Sequence, residues 1–233
     1  MDPRLDLDKV IRPTLARMED SIIFNLFGRA QYKTNDIIYT PGGIQIPNFD
    51  GSFLDYLLKG TEVLHATAGR YMHPEEHPFF NDIPSISFPR KIESSPVRKT
   101  DINVNFKIKL IYLDALQKIC EQGDDSHYGS SAIWDIRCLQ DLSRRIHYGT
   151  YVAESKFQQE PECYSKLIRT NDIKGIRAKL TDKNVERAVL ERVREKGKRY
   201  NVNPEFIVEF YEQKIIPLTI EVEVEYFLKR GID

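Results

Sequence analysis

A basic pair, Arg144 and Arg145, and a lone lysine, Lys156, lie in the amphipathic stretch from Leu139 to Phe157. On an α-helix, the 11-residue step from Arg145 to Lys156 turns through about 1100°, which is about 20° from three whole turns. Both cations therefore share one helix face, beside apolar positions that recur at helical spacing. Either their aliphatic stems pack while the charged ends reach water or a carboxylate, or the pair binds a dianion.

Other isolated charges interrupt apolar helical stretches elsewhere in the chain. They are Arg12, Asp182, Glu186 and Glu223. Thr219 precedes Glu223 by four residues, so the two share a face if that segment is helical. Taken singly, each charge is typical of a protein surface or an ion pair.

The signatures of common enzyme chemistries are absent from the sequence. There is no GxSxG nucleophile motif, no GxxxxGK[ST] phosphate loop, no GxGxxG after a strand and no Cys/His cluster. Residues 73 to 77, HPEEH, contain two histidines four apart, but their proline is unfavourable inside the helix that an HExxH zinc site requires. We therefore expect a loop at this segment and no metal.

Composition and charge exclude several classes of protein. With 233 residues and 41% hydrophobic content, the chain can form one large or two small globular domains. Its formal charge of −1 gives no reason to expect nucleic acid or an anionic membrane as a partner. No apolar run approaches the roughly 20 residues that a membrane span requires.

Cysteine usage and the first residues bear on the compartment. The three cysteines are odd in number and show no CxxC spacing, which indicates reduced thiols. The opening residues MDPRLDLDKVIRP contain acids and no apolar core, unlike a secretory or transit signal. We expect a cytoplasmic protein.

Hydrophobic spacing predicts helices over most of the chain. The first should begin near Asp6 or Asp8, so that Pro13 falls in or just after the first turn. An irregular loop is expected from Pro74 to Pro96, where prolines concentrate. The predicted helix caps are Ser52, Ser130 or Ser131, Thr181, and Asn203 before Pro204.

The segment IIPLTIEVEVEYFLKR near the end is ambiguous. Acidic and apolar residues alternate from Glu221 to Tyr226, which by itself favours a strand. No other segment alternates in this way, so a strand would lack a partner. We therefore predict a helix with a bend at Pro217.

Five segments closely resemble the eukaryotic all-helical chorismate mutases. They are RMEDSIIF (17–24), GSFLD (51–55), HPFF (77–80), DIRCLQDLSRRIHYGTYVAESKF (135–157) and IIPLTIEVEVEYFLKR (215–230). The resemblance extends over nearly the whole chain, with gaps only in loops. It implies an all-α, single-domain helix bundle over residues 1–233, which forms a homodimer. It also implies an isomerase that converts chorismate to prephenate, without a cofactor, in phenylalanine and tyrosine biosynthesis.

The resemblance also assigns roles to the isolated charges. Arg12 and Arg145 match the arginines that bind the two substrate carboxylates. Lys156 and Glu223 match residues that face the ether oxygen, and Lys156 also reaches a carboxylate. The remaining matches are Glu186 for the ring hydroxyl, with Asp182 and Thr219 as further substrate-binding residues.

The rearrangement itself explains these residue types. Chorismate is a dicarboxylate whose arm must fold over its ring, so two arginines can hold the reactive conformer. Negative charge grows on the ether oxygen as the C–O bond breaks, and Lys156 with a protonated Glu223 can stabilise it. We expect activity to fall as pH rises through neutral.

Relatives of this kind often bind tyrosine or tryptophan at the dimer interface. The matching positions here include Arg70, Gly129 and Ser130, while Gly69 stands where fungal relatives have the first arginine of a pair. Arg70 with the amides of a helix N-terminus could hold an amino-acid carboxylate. The alternative is a capped helix and an interface arginine without an effector.

A second hypothesis is a catalytically inactive, dimeric amino-acid-binding regulatory protein on the same scaffold, because fold resemblance alone does not establish activity. Such a protein would be free to lose Arg12, Lys156 or Glu223. All three are present, which favours the enzyme.

Overall fold

The computed structural model describes residues 2–88 and 94–231, and over these residues it contains α-helices, short 3-10 and π-helical turns and no strand. Residues 89–93 of the predicted loop at 74–96 lie outside the described part. The sequence's all-α prediction is confirmed. The helices are α1 Arg12–Arg29, α2 Phe53–Thr67, α3 Asn105–Ile119, α4 Tyr128–His147, α5 Gly149–Gln159, α6 Pro161–Arg169, α7 Ile173–Leu180, α8 Lys183–Arg199, α9 Pro204–Phe210 and α10 Ile216–Arg230.

The first helical segment begins with a wide π-helical turn, Leu7–Ile11, which leads directly into α1. The carboxylate of Asp6 accepts hydrogen bonds from the backbone N–H groups of Asp8 and Lys9, at 3.1 and 2.9 Å. Pro13 follows in the first turn of α1. A proline ring clashes with the carbonyl four residues earlier, so placing it just after a wider turn relieves the conflict.

The ambiguous segment near the end is helical, as predicted. α9 passes through a second π-helical turn, Tyr211–Ile215, into α10, and Pro217 again lies in the first turn that follows. Val222, Val224 and Tyr226 of the alternating stretch are all buried. α10 is therefore covered on several sides, which explains why its apolar pattern does not show a simple helical stripe.

Two predicted caps are correct and two are wrong. Ser52 and Asn203 cap α2 and α9 through their side-chain oxygens. α4 begins at Tyr128, before the predicted serines, and the buried Ser131 hydroxyl instead accepts a hydrogen bond from Asn35. Thr181 does not cap α8, because the carboxylate of the next residue, Asp182, does so.

The long helix expected through residues 139 to 157 is divided at Tyr148. α4 ends at His147 and α5 begins at Gly149, with Tyr148 itself in a helical conformation. The break is a tight joint that keeps Arg145 and Lys156 on the same side of the α4–α5 pair, where they line one cavity.

A buried ion pair ties α1 to α4. Arg29 and Asp135 are both fully buried, and Arg29 Nε donates to Asp135 Oδ1 at 2.8 Å. The hydroxyls of Tyr112 and Tyr39 donate to the same carboxylate at 2.7 and 2.8 Å. The remaining guanidinium N–H groups donate to backbone carbonyls, the Tyr39 hydroxyl and the Cys120 thiol. Both charges are therefore fully satisfied, as a buried pair requires.

A second buried ion pair ties α5 to α10. Arg230 donates to both carboxylate oxygens of Glu154, at 2.9 and 3.2 Å, and its guanidinium lies 3.5 Å from the ring centroid of Phe157. The Tyr226 hydroxyl adds a third donor at 2.7 Å. These contacts fix α10 against the helix that carries Lys156.

Across the described ranges, no helix is long and apolar enough to cross a membrane.

Asp135→Asn is expected to lower the free energy of unfolding by about 3–5 kcal/mol, because it leaves the Arg29 cation buried without its counter-charge. Tyr112→Phe removes one hydrogen bond to a carboxylate that keeps two other donors, and should cost about 1 kcal/mol. Urea unfolding followed by circular dichroism measures both. Lys118→Gln, which breaks the exposed pair with Glu209, is the control and should cause no measurable change. Wild-type stability in Asp135→Asn would contradict the role of this pair.

Candidate active site

A cavity of about 430 Å³ lies between the first helical segment, α4, α5, α7, α8 and α10. Apolar side chains from all of these elements except α4 form much of its wall. The seven residues that the sequence singled out as catalytic or substrate-binding also line it: Arg12, Arg145, Lys156, Asp182, Glu186, Thr219 and Glu223.

Arg145 is the most deeply placed cation of the cavity. The residue is 5% exposed, and no carboxylate of the described residues forms an ion pair with it. Its Nη1 donates a long hydrogen bond, 3.4 Å, to the hydroxyl of Thr219. Its buried Nε has no hydrogen-bond partner among the residues that the structure describes. A buried cation without a counter-charge is costly. The site is thus suited to an anion that enters the cavity.

Lys156 reaches the cavity from the last turn of α5. Its Nζ donates to the backbone carbonyl of Leu180 at 2.6 Å. Leu180 ends α7, where carbonyl groups have no partner within their own helix. The contact holds the ammonium group at the cavity wall and leaves its other N–H donors available.

Glu223 and Thr219 enter the cavity from α10, and both are buried. The Thr219 hydroxyl donates to the carbonyl of Ile215 at 2.8 Å, which fixes the side chain. Burial raises the pKa of Glu223 to about 7; the cations Lys156 and Arg145 lower it, and Glu186 adds to the rise. A carboxyl group with this pKa carries a proton for a large part of the time at neutral pH, and can then donate a hydrogen bond.

Arg12 stands at the edge of the cavity and is half-exposed. Its guanidinium pairs with Asp8, one turn earlier on the outer surface. An exposed pair of this kind is weak. The side chain can therefore exchange this partner for another anion at the mouth.

The two acids of α8 differ in how much of their bonding capacity is free. Asp182 Oδ1 accepts hydrogen bonds from the N–H groups of Asn184 and Val185, at 2.9 and 3.3 Å, and so caps the helix. Glu186, in the first turn, pairs with the exposed Lys183 at 3.0 Å. Because that exposed pair is weak, Glu186 can turn toward the cavity, while Asp182 is partly committed to the helix.

The cavity is also lined by three charged residues that were not predicted from the sequence. Glu19 is fully buried and accepts a bidentate pair from Arg192, at 2.6 and 2.7 Å, which joins α1 to α8. Lys179 pairs with Glu160 at 2.6 Å. Glu19 interrupts an apolar helical pattern, which is a usable signal, but Arg192 and Lys179 sit among many other charges and give none.

The proposed effector residues are separated within one chain. Arg70 donates to Glu76 at 2.8 Å and to Gln140 of α4 at 2.9 Å. Gly129 and Ser130 lie at the start of α4, and eleven residues of helix place Gly129 about 16 Å from Gln140. A single subunit does not bring these residues together.

Comparison with known proteins gives consistent matches. Residues 127–224 match the family model described as chorismate mutase type II. The chain is 41% identical to the chorismate mutase of Saccharomyces cerevisiae, over 94% of this chain and 93% of the relative. The crystal structure of a Candida albicans chorismate mutase in complex with L-Trp superposes with a TM-score of 0.94 at 40% identity, over 97% and 92% of the two chains. AtCM1 with tyrosine bound in its allosteric site gives 0.91 at 41%, over 99% and 98%.

The Glu223 carboxyl group should titrate with a midpoint near pH 7, because its pKa is raised from the ordinary value of 4.5 to about 7. A raised carboxyl pKa stabilises the fold fully below pH 4.5, and this contribution is lost as pH rises through about 7. NMR of ¹³C-labelled glutamate side chains measures the midpoint, and Glu223→Gln assigns the signal. Glu186→Gln should lower the midpoint, whereas Glu205→Gln on α9 should leave it unchanged. A wild-type midpoint near 4.5 would contradict the assignment.

Proposed function

The chain belongs to the chorismate mutase family, and we propose that it catalyses the rearrangement of chorismate to prephenate in the cavity around Arg145. The supporting observation is the state of Arg145, a buried cation with one long hydrogen bond and no carboxylate partner among the described residues. The substrate is a dicarboxylate and supplies the missing charge. On this proposal the chain is an isomerase on the route to phenylalanine and tyrosine.

Binding of the two carboxylates is assigned to the two arginines. Arg145 takes one carboxylate at the base of the cavity, where low exposure strengthens a charge-assisted hydrogen bond. Arg12 takes the other at the mouth after leaving Asp8. Holding both ends fixes the folded conformer in which the reacting carbons meet, so that part of the barrier is overcome by binding.

Charge development on the ether oxygen is met by Lys156 and Glu223. The C–O bond breaks ahead of C–C formation, so negative charge grows on that oxygen. Lys156 donates from α5 while its contact with the Leu180 carbonyl limits its movement. Glu223 donates when protonated, and one preorganised donor of this kind contributes about 3 kcal/mol to transition-state stabilisation.

The remaining polar residues have orienting roles in this proposal. Glu186 receives the ring hydroxyl, and Asp182, which lines the same cavity, keeps its Oδ2 for the substrate. Thr219 holds Arg145 through its hydroxyl. The apolar walls exclude water around the breaking bond, which strengthens each electrostatic contact.

Wild-type protein should consume chorismate in a spectrophotometric assay. Arg145→Ala and Lys156→Ala should each lower turnover by about 100-fold or more, because each removes a preorganised cation. The matched control is Arg144→Ala, since the neighbouring arginine faces Glu75 and Glu76 and does not line the cavity. Circular dichroism checks that all variants stay helical. Failure of wild-type protein to turn over chorismate would refute the proposed function.

The pH profile tests the protonated state of Glu223 in the same assay. The ratio kcat/KM, which reports the pKa values of the free enzyme, should fall as pH rises through about 7, the pKa of this carboxyl group. In Glu223→Gln the amide donates at every pH, so the variant should lack this decline. A variant profile identical to that of wild-type protein would show that Glu223 does not act as the donor.

We also propose that the chain forms a homodimer. Large apolar side chains are exposed on α4 and on the two helices that pack against it: Phe24 on α1, Leu64 on α2 and Ile133 on α4, the last two at 70% and 52% exposure. Exposed apolar surface of this kind is typical of an interface. A second subunit could also bring Gly129 and Ser130 close to Arg70, which one chain keeps apart.

An effector site between subunits is the finer part of this proposal. The Candida albicans structure contains L-Trp, and AtCM1 holds tyrosine in its allosteric site. In this chain the Arg70 guanidinium and the free amides at the start of α4 offer donors for an amino-acid carboxylate.

The proposed location of the protein is a reducing compartment, the cytoplasm, because the three cysteines are free thiols.

Light scattering should give twice the 27.2 kDa subunit mass. Titration of activity with tryptophan and with tyrosine should show a response that Arg70→Ala weakens by at least about tenfold in effector concentration, because a charged hydrogen bond contributes about 1.5–3 kcal/mol. Arg194→Ala, which breaks an exposed pair with Glu205, is the control. Flat responses to both amino acids would rule out the effector site.

A further inference from the structure

Gly149 is a point of close approach between the α4–α5 joint and α10. A Cβ atom at this position would lie 3.1 Å from Thr219 Cγ2, 3.1 Å from the Thr219 carbonyl oxygen and 3.3 Å from Glu223 Cγ. Gly149 lies in helical conformation, outside the left-handed region that favours glycine. Glycine is therefore needed here for space and not for backbone freedom.

We propose that Gly149 is a positioning residue for the chorismate rearrangement: its missing side chain lets α10 approach closely enough for Thr219 and Glu223 to meet Arg145 and Lys156. This inference rests on the function proposed above. It adds a requirement at a residue that has no polar side chain and cannot itself touch the reacting atoms through one.

The neighbours of Gly149 have little freedom to move away. Thr219 is fixed by its hydrogen bond to the Ile215 carbonyl, 2.8 Å. Beyond it, α10 is held by buried Val222 and by the Tyr226 hydroxyl, which donates to Glu154 at 2.7 Å. A methyl group at position 149 must therefore shift α10 or the helix joint by a few tenths of an ångström.

Such a shift acts first on Thr219 and Glu223, the two polar residues of α10 that line the cavity. Thr219 would move relative to Arg145, and the Glu223 carboxyl relative to the ether oxygen. Loosened packing would also admit water to Glu223, whose pKa is raised chiefly by burial. The charged groups that line the same cavity are Arg12, Glu19, Arg145, Lys156, Lys179, Asp182, Glu186 and Arg192.

The test compares three glycine-to-alanine variants of the whole chain. In Gly149→Ala, kcat for chorismate should fall about tenfold or more, with a smaller change in KM, because small misplacements of reacting groups are costly. The NMR midpoint of Glu223 should move to lower pH. Gly60→Ala is the control without a contact, since nothing lies within 4 Å of the point that its new methyl group would occupy. Gly28→Ala is the steric control, because its methyl group would meet the Trp134 ring at 2.6 Å, outside the cavity lining.

Both controls should keep the wild-type Glu223 midpoint, although Gly28→Ala should lose stability. Thr219→Ser removes the Cγ2 atom that the new methyl group would crowd. Gly149→Ala should therefore lower kcat less in a Thr219→Ser background than it does in the wild-type protein. A wild-type kcat and midpoint in Gly149→Ala would overturn the inference, as would failure of both Gly149 variants to fold, which would make the residue a folding requirement. Failure of the proposed function can be distinguished from failure of this inference. In that case the wild-type protein would be inactive toward chorismate, while the Glu223 midpoint would remain measurable in every variant.

Discussion

The fold holds one cation, Arg145, away from solvent without a carboxylate to pair with it. Arg29, Arg145 and Arg230 are the buried arginines of the described chain, and two of them are paired with a buried carboxylate. Arg145 alone of these three lacks such a partner. The two paired arginines hold α1 to α4 and α5 to α10, so their ion pairs maintain the frame in which the third remains unsatisfied. Arginines therefore serve two purposes in this fold: those that face a buried carboxylate stabilise it, and the one without such a partner is available to a ligand.

The charges around Glu223 oppose one another in a useful way. Burial and Glu186 favour its neutral form, while Lys156 and Arg145 favour its ionised form. The balance leaves the pKa near neutrality, so the group can be a hydrogen-bond donor beside a lysine that is also a donor. A dianion between the arginines would add negative charge close to this carboxyl and favour its protonated form further. On the proposed function, substrate binding and the protonated state of Glu223 therefore support each other.

The helical class and most helix positions follow from the hydrophobic pattern, whereas the grouping of charges distant in sequence follows from the resemblance to the chorismate mutases. Arg145 and Lys156 share a face because their spacing fits three turns, and the joint at Tyr148 does not disturb this. Prediction was less successful where two residues compete for one task, as when Asp182 and not Thr181 caps α8. The partners of Arg192 and Lys179 depend on which helices meet, and local spacing holds no information on that. The same limit applies to Gly149, whose importance arises from a helix far away in sequence.

The cavity draws its walls from both halves of the chain. Arg12 lies at the start of α1, whereas Thr219 and Glu223 belong to α10, and each of these helices follows a π-helical turn and has a proline in its first turn. During synthesis on the ribosome, every other wall emerges before α10. Until α10 docks against Gly149, the cavity lacks the wall that carries Thr219 and Glu223, and the proposed anion site around Arg145 is incomplete. On the proposed function, a chain truncated before α10 would lack Thr219 and Glu223 and would leave Glu154 without Arg230, so ligand binding would depend on the helix that is synthesised after all the other walls.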